Sequence, residues 1–137
     1  HDLIYNAASQ TNEQESATLA YNWLENRNVS YAEEVERMIE LSADYITAQL
    51  TNETEKTFHD LDLAILGSPK VTYQEYATNI RKEYKHMSDE EFNAGRASFI
   101  TKIMEKETIF QTEAFHDLFE ETARENMRDE LEQLTQK

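Results

Sequence analysis

Glycine and proline are almost absent from this chain, and their scarcity limits its fold more than any other feature. The 137 residues include two glycines and one proline. Tight turns between β-strands depend on these residues, because glycine reaches positive φ angles and proline presets φ. A turn-rich β architecture is therefore disfavoured, and the sequence predicts an all-α protein.

Helix starts can be predicted where Ser or Thr is followed three residues later by Glu or Gln, the pattern of a capping box. Such boxes begin at Thr11, Ser30, Thr72 and Ser88. Apolar residues three and four positions apart carry the first helix to about Glu25 and the second through Ile46. The pattern predicts a loop over Thr51–Glu55.

Two further helices are predicted without a capping box. A short apolar helix covers 58–66 and ends at Gly67, and a long helix runs from 112 to 134. Gly95 lies on the apolar face of its helix, so a neighbour is expected to pack closely there. The fold prediction is a compact, irregular bundle of about six helices that forms one domain over 1–137.

The charge of the chain bounds its partners. There are 28 acidic and 13 basic residues, which gives a net charge of −15. A nucleic acid duplex would be repelled, because no local basic patch is visible. No apolar run approaches the ~18 residues that a membrane span needs, so no membrane partner is expected. The acidic balance fits a cytoplasmic protein.

Candidate metal ligands open the chain. His1 and Asp2 offer an imidazole nitrogen and a carboxylate oxygen at one point of the backbone, and both bind divalent cations. About sixty residues later, Asp60 and Asp62 lie within the apolar run 58–67. A carboxylate among apolar residues needs a partner, and a metal ion is a common one.

Several segments taken together resemble a known family. They are HDLIY followed by NEQESA, then DLDLAILG, YQEYATNIRKEY, FNAGR and EETARENMRDEL. In this order the set resembles the HD superfamily of metal-dependent phosphohydrolases, in particular its small bacterial branch of predicted phosphohydrolases. The resemblance implies an HD-domain-like helical fold around a divalent metal ion such as Mn, Mg, Fe or Zn.

The resemblance also assigns metal ligands. His1 and Asp2 match the His-Asp pair of the superfamily, and Asp62 best matches its distal aspartate, with Asp60 as the second choice. Two departures stand out. The upstream histidine of the superfamily would precede residue 1, so the domain is expected to lack its N-terminal helix or helices. A histidine that the branch often has late in the second helix is Tyr45 here.

The same resemblance gives Glu13 a catalytic role, and the chemistry of three further residues suits substrate binding. Glu13 would orient or deprotonate the attacking water, although an acid in a first helical turn is also favoured by the helix dipole. Arg81 with Tyr84, and separately Arg96, suit a phosphate oxygen. The alternative is a core stripe of tyrosines in which Arg81 pairs with a neighbouring acid.

The expected function is a metal-dependent phosphohydrolase that acts on a nucleotide or another small phosphate ester, with a homo-oligomer as one option. One alternative is a helical binding or scaffold protein that keeps the fold after losing metal ligands. Tyr45, in place of an expected histidine, and the missing upstream histidine favour this alternative. Another is an adaptor that recognises a basic partner through its acidic surface.

Overall fold

The computed structural model describes residues 1–7 and 9–136, and these contain helices but no strand. The predicted all-α class with six helices is confirmed. A 3-10 turn, Ala64–Gly67, follows the third helix. None of the helices within the described residues is both long and apolar enough to span a membrane. The six α-helices are α1 (Asn12–Glu25), α2 (Ala32–Leu41), α3 (Glu53–Leu63), α4 (Lys70–Glu83), α5 (Asp89–Met104) and α6 (Glu113–Thr135).

Backbone contacts divide the chain into two compact units, His1–Glu55 and Lys56–Lys137. The first unit contains α1 and α2, and the second contains α4, α5 and α6. Helix α3 begins in the first unit and ends in the second. One domain over 1–137 stays a prediction.

The capping box at Ser88 is confirmed. Ser88 Oγ accepts a hydrogen bond from the Glu91 amide at 3.2 Å, and the Glu91 carboxylate accepts one from the Ser88 amide at 3.0 Å. At the start of α1, Thr11 does not cap the helix, because its hydroxyl donates to Glu15 at 2.7 Å instead. The same pattern of residue types therefore gives different end structures at the two helices.

The other two predicted boxes are wrong. The residue before α2 is Tyr31 rather than Ser30, and no side chain caps this helix. Helix α4 begins at Lys70, two residues before Thr72, directly after Pro69. Proline has a φ angle that suits a helix, and it has no backbone N–H that would need an acceptor at the helix start. It therefore favours the start of α4 directly after Pro69.

Two helix boundaries around the predicted loop also differ from the prediction. Helix α2 ends at Leu41, and the Ser42 hydroxyl donates to the Ile39 carbonyl at 2.6 Å. Helix α3 begins at Glu53, five residues before the predicted start. There Asn52 Oδ1 accepts a hydrogen bond from the Glu55 amide at 2.9 Å, which satisfies one of the first amides of the helix.

The first unit is built on α1 packed against α2. Ala17 and Ala20 of α1 are buried with Ile39 of α2, and Val35 packs against this cluster. Alanines at the contact let the two helices approach closely. Trp23 lies outside this core with 55% of its surface exposed, and the Arg27 guanidinium stacks 3.8 Å from the centre of its ring.

The second unit is built on α6, which packs against α5 and against the 3-10 turn. Apolar residues 103, 109 and 110 bring the end of α5 and the following loop into the core. The residues of this core that are no more than 1% exposed are Leu66, Ile100, Ile103, Ile109, Phe110, Ala123 and Met127.

Gly67 is where α6 comes closest to the 3-10 turn. A Cβ atom at Gly67 would lie 2.5 Å from Phe119 Cβ and 2.9 Å from Phe119 Cα. By contrast, a Cβ at Gly95 would meet no atom within 4 Å, so the predicted close packing at Gly95 is wrong. The close approach that only glycine permits is at the end of the 3-10 turn.

We expect Gly67→Ala to lower the free energy of unfolding by about 3 kcal/mol, because the atoms it would meet belong to a helix backbone that cannot move aside cheaply. Gly95→Ala is the matched control and should raise the stability by about 0.5–1 kcal/mol through helix propensity alone. Urea denaturation followed by circular dichroism measures both. Equal stabilities for the two variants would contradict the close contact.

Candidate functional site

The predicted metal-ligand pair lies in the non-helical segment before α1. His1 Nε2 and Asp2 Oδ2 are 3.1 Å apart, and the two side chains are 28% and 60% exposed. Two ligands bonded at about 2.1 Å to one cation and at right angles to each other stand about 3.0 Å apart. The spacing is that of an ordinary His–Asp ion pair, and it is also compatible with two neighbouring ligands of a divalent cation.

Two side chains of α1 hold this segment in place. Ser16 Oγ accepts from the Ile4 amide at 2.9 Å and donates to the Ile4 carbonyl at 3.2 Å. Asn12 bonds the amide and the carbonyl of Asn6 in the same way, both at 2.9 Å. The Asn and Ser of the NEQESA segment thus fix the backbone at Ile4 and Asn6, shortly after His1 and Asp2.

The other residues predicted around the metal are placed in different parts of the chain. Glu13 lies half-buried in the first turn of α1. Asp62 lies half-buried near the end of α3, in the second unit. Tyr45 lies after the end of α2 rather than late in it. Within each unit, the described residues contain no group of three or more His, Asp or Glu side chains placed to share a cation.

Asp60, the second choice for the distal ligand, is fully buried and holds the loop before α6. Its carboxylate accepts from the Gln111 amide at 2.8 Å, from the Thr112 amide at 2.8 Å and from the Thr112 hydroxyl at 2.7 Å. His59 Nδ1 lies 2.9 Å from the same carboxylate. Burial lowers the pKa of His59, and the hydrogen bond to Asp60 opposes this shift.

The tripeptide His-Asp-Leu occurs three times in the chain, and the structure gives it three environments. The first copy is the exposed pair before α1. The second is buried in α3, with His59 and Asp60 each no more than 1% exposed. The third lies on the surface of α6, where His116 Nδ1 and Asp117 Oδ1 are 3.4 Å apart and the side chains are 46% and 71% exposed.

Arg96, a predicted phosphate ligand, is buried against an acid. Its Nε and Nη2 donate to the two carboxylate oxygens of Glu130 at 2.8 and 3.0 Å, and the side chains are 8% and 11% exposed. The Tyr73 hydroxyl donates to the same carboxylate. Burial raises the pKa of Tyr73, and the Glu130 charge adds to the effect. For Arg96, burial opposes the charged form, but the hydrogen bonds to Glu130 and the electrostatic interactions with Tyr76, Glu130 and Tyr73 together outweigh it and raise the pKa.

Arg81 caps the end of α4 and pairs with an exposed acid. It donates to the carbonyl oxygens of Tyr84 at 2.9 Å and Met87 at 3.1 Å. Its Nε and Nη2 also donate to Asp89 Oδ1 at 3.1 and 2.6 Å. The structure thus contains the pairing of Arg81 with a neighbouring acid that the sequence offered as the alternative to a phosphate site.

An apolar cavity of 350 Å³ brings two of the predicted substrate-binding residues together. Tyr84 and Arg96 both line it. Arg81 does not line it, but its Cζ lies 5.0 Å from the centre of the ring of Phe92, which does. The Tyr84 and Phe92 rings are 6.1 Å apart. The full lining of the apolar cavity is Ile80, Tyr84, Met87, Phe92, Gly95, Arg96 and Phe99.

A larger and more polar groove of 490 Å³ lies among α4, α5 and α6. Its charged lining residues are already paired, Lys70 with Asp129 at 2.7 Å and Arg81 with Asp89 at 2.6 Å. Phe92 lines both the groove and the apolar cavity. The polar groove therefore presents paired positive and negative side chains to solvent.

Glu120 and Arg124 also have a structural role. The Glu120 carboxylate is buried and accepts from the amides of Ile109 and Phe110 at 3.0 and 3.1 Å. Arg124 donates to the carbonyls of Met104 and Lys106 at 3.0 and 2.9 Å, which satisfies the end of α5. This pair and Asp60 together hold the loop between α5 and α6.

Glu55 is a buried acid of the first unit with a strongly shifted pKa. The hydrogen bond from Arg37 at 2.6 Å and that from the Thr51 amide at 2.6 Å lower the pKa of Glu55 from 4.5 to about 2. The stabilisation from Glu55 is therefore complete above pH 4.5 and is lost as the pH falls through about 2.

We expect Glu55→Gln to lower the free energy of unfolding by about 1–3 kcal/mol at pH 7, because a charged acceptor is lost. The difference between the variant and the original chain should shrink as the pH is lowered from 5 toward 3. Urea denaturation at a series of pH values measures it. A difference that stays constant over this range would show that the Glu55 charge carries no such stabilisation.

Most residues of the apolar cavity were not predicted from the sequence as site residues. Phe92, Gly95 and Phe99 follow one another at helical spacing on α5. Ile80 lies on α4, four residues before Tyr84, which directly follows that helix. This periodicity indicates that each set shares a helix face, but not that the two faces line a cavity. Glu130 was missed because no local pattern relates it to Arg96, 34 residues earlier.

No protein-family model matches this chain, and no curated protein or solved structure is significantly similar to it. The likeness to the HD superfamily therefore stays an interpretation of the ordered segments quoted above.

Proposed function

We propose that this chain is a metal-dependent phosphohydrolase that acts on a nucleotide or another small phosphate ester. The observation that carries the proposal is the 3.1 Å spacing of His1 Nε2 and Asp2 Oδ2 on an exposed segment. The bonds from Ser16 and Asn12 support it, because a segment that is already fixed loses less entropy when it binds a ligand. A cytoplasmic location and a homo-oligomer belong to the same proposal.

His1, Asp2 and Asp62 would hold the divalent ion, Asp62 on the strength of the family likeness alone. The bound ion would supply a water of lowered pKa and polarise the phosphoryl oxygen. The Glu13 carboxylate would hold that water by a hydrogen bond and accept its proton as the water oxygen bonds to phosphorus. The P–O ester bond would break, and the alcohol oxygen would leave with the bonding electron pair and take up that proton, which gives the free alcohol and inorganic phosphate. Arg81, and Arg96 if it is released from Glu130, would balance the charge of the phosphoryl oxygens.

Manganese binding tests this proposal directly. At a concentration one hundred times its dissociation constant, a ligand stabilises the folded state by about 2.7 kcal/mol, so Mn²⁺ should raise the melting temperature. Asp2→Ala and Asp62→Ala should remove this shift and the hydrolysis of a panel of nucleotides. Asp117→Ala is the matched control, because Asp117 belongs to a His-Asp pair on the surface of α6. This variant should keep both the shift in melting temperature and the hydrolysis.

The proposal fails if Mn²⁺ leaves the melting temperature unchanged, or if Asp117→Ala weakens binding as much as Asp2→Ala does. Hydrolysis at equal rates by the original chain and by all three variants would also contradict the proposal.

The second candidate function is a helical binding or scaffold protein without catalysis. The observation that favours it is the two-point pairing of Arg96 with Glu130, which leaves the guanidinium charge neutralised inside the second unit. Purified protein that contains no metal, and that melts at the same temperature with and without Mn²⁺, would favour this candidate.

A further inference from the structure

The apolar cavity between α4 and α5 has the size and the lining of a small-molecule site. Its volume of 350 Å³ lies within the range of about 300–1,000 Å³ that is common for ligand pockets. Three aromatic rings and three apolar or small residues form the walls, together with one charged side chain, Arg96. Mostly apolar walls with a small number of polar groups are typical of small-molecule sites.

Gly95 keeps this cavity open. It lies within α5, where glycine is one of the least favourable residues, and a Cβ there would meet no atom within 4 Å. No packing contact within the second unit therefore accounts for glycine at this position. What its missing side chain does provide is space in the wall of the apolar cavity.

Arg81 lines the polar groove next to the apolar cavity and is held by residues that line the cavity. It donates to the carbonyl oxygens of Tyr84 and Met87 at 2.9 and 3.1 Å, and its Cζ is 5.0 Å from the centre of the Phe92 ring. These contacts fix the direction of the guanidinium group before any ligand is bound. A fixed fork of N–H donors is the arrangement that favours a phosphate or a carboxylate.

The acid that now occupies this fork is easily replaced. Asp89 accepts from Arg81 through a single oxygen, and its side chain is 85% exposed. Exposed ion pairs of this kind contribute little to stability, whereas a phosphate offers several oxygens and more charge. A phosphate can therefore take the place of Asp89 while Arg81 keeps its bonds to the two carbonyl oxygens.

We infer that the apolar cavity binds the base of a nucleoside monophosphate and that Arg81 holds its phosphate. The rings of Tyr84, Phe92 and Phe99 offer apolar faces and edges against which a base can pack. The choice of a nucleotide among aromatic anions rests on the proposed function. The cavity itself uses residues of the second unit only, and binding there needs no metal ion.

The test measures the dissociation constants of AMP and GMP by calorimetry in a buffer that contains EDTA. Gly95→Leu should weaken binding by about tenfold or more, because the new side chain fills the cavity. Ala94→Leu is the matched control, since Ala94 is exposed on the same helix and does not line the cavity. It should bind both nucleotides like the original chain.

A second variant tests the phosphate contact. Arg81→Gln should weaken AMP binding by about tenfold while leaving adenosine binding unchanged, because one charge-assisted contact is lost. Lys82→Gln removes a neighbouring exposed charge and should leave both affinities unchanged. Circular dichroism checks that each variant is folded, and Gly95→Leu decides the question if Arg81→Gln does not fold.

The inference is overturned if neither nucleotide binds, or if Gly95→Leu binds as tightly as Ala94→Leu. Binding in EDTA that depends on Gly95, without any hydrolysis in Mn²⁺, would support the cavity and contradict the phosphohydrolase. Hydrolysis in Mn²⁺ that Gly95→Leu leaves unchanged would contradict the cavity and support the phosphohydrolase.

Discussion

Replacing Glu130 with alanine should lower the free energy of unfolding by about 4 kcal/mol, because it leaves a buried arginine without its counter-charge. Arg96 is 8% exposed, and Glu130 accepts two of its N–H groups as well as the Tyr73 hydroxyl. Urea denaturation at pH 7, followed by circular dichroism, measures the change. The contact joins α4, α5 and α6, so we expect the whole second unit to be affected.

The next residue in the sequence provides the control for this prediction. Asp129 pairs with Lys70 at 2.7 Å, but the side chains are 45% and 63% exposed. Asp129→Ala should therefore cost about 0–1 kcal/mol. The triple variant Tyr73→Phe, Arg96→Met and Glu130→Leu should recover most of the stability, since apolar residues of similar size can replace a buried pair and no buried hydroxyl is left without its acceptor. Equal losses for Glu130→Ala and Asp129→Ala would contradict the role of burial.

Replacing Asp60 with alanine should cost about 3 kcal/mol or more, because several donors lose a charged acceptor at once. Asp60 is fully buried and accepts from the amides of Gln111 and Thr112 and from the Thr112 hydroxyl. Asp60→Asn keeps the shape but presents an amide NH₂ to these donors, so it should recover only part of the loss. Chemical denaturation measures both variants, and amide hydrogen exchange at Gln111 and Thr112 reports on the loop.

Asp117→Ala is the control for Asp60→Ala, because the tetrapeptide Phe-His-Asp-Leu occurs twice in the chain and each aspartate lies in one copy. The Asp117 side chain is 71% exposed, so its removal should change the stability by no more than about 0.5 kcal/mol. If the two variants lost the same stability, the hydrogen bonds that Asp60 makes to the loop would not be what stabilises this part of the protein.

The sequence predicted the helices well and their ends poorly. Helix existence follows from apolar periodicity, which is local and repeats over many residues. Helix ends depend on one or two hydrogen bonds, and the polar side chains at these ends have several partners to choose from. Thr11 illustrates this, because it bonds Glu15 instead of capping α1, whereas Ser88 forms the complete capping box.

The candidate site was predictable to a smaller extent. The His1–Asp2 pair could be recognised because its two members are neighbours in the sequence. The pairing of Arg96 with Glu130 could not, because 34 residues separate them. The same holds for the apolar cavity, whose walls come from α4, α5 and the turn between them.

The sequence by itself determined that this protein is helical, because its scarcity of glycine and proline and its apolar spacing act through local backbone geometry. Only the tertiary structure decided what each polar residue does. The repeated Phe-His-Asp-Leu shows why, since Asp60 is buried against loop amides while Asp117 faces solvent. The free energy of a charged side chain depends on its burial and on its partners, and distant parts of the chain supply both.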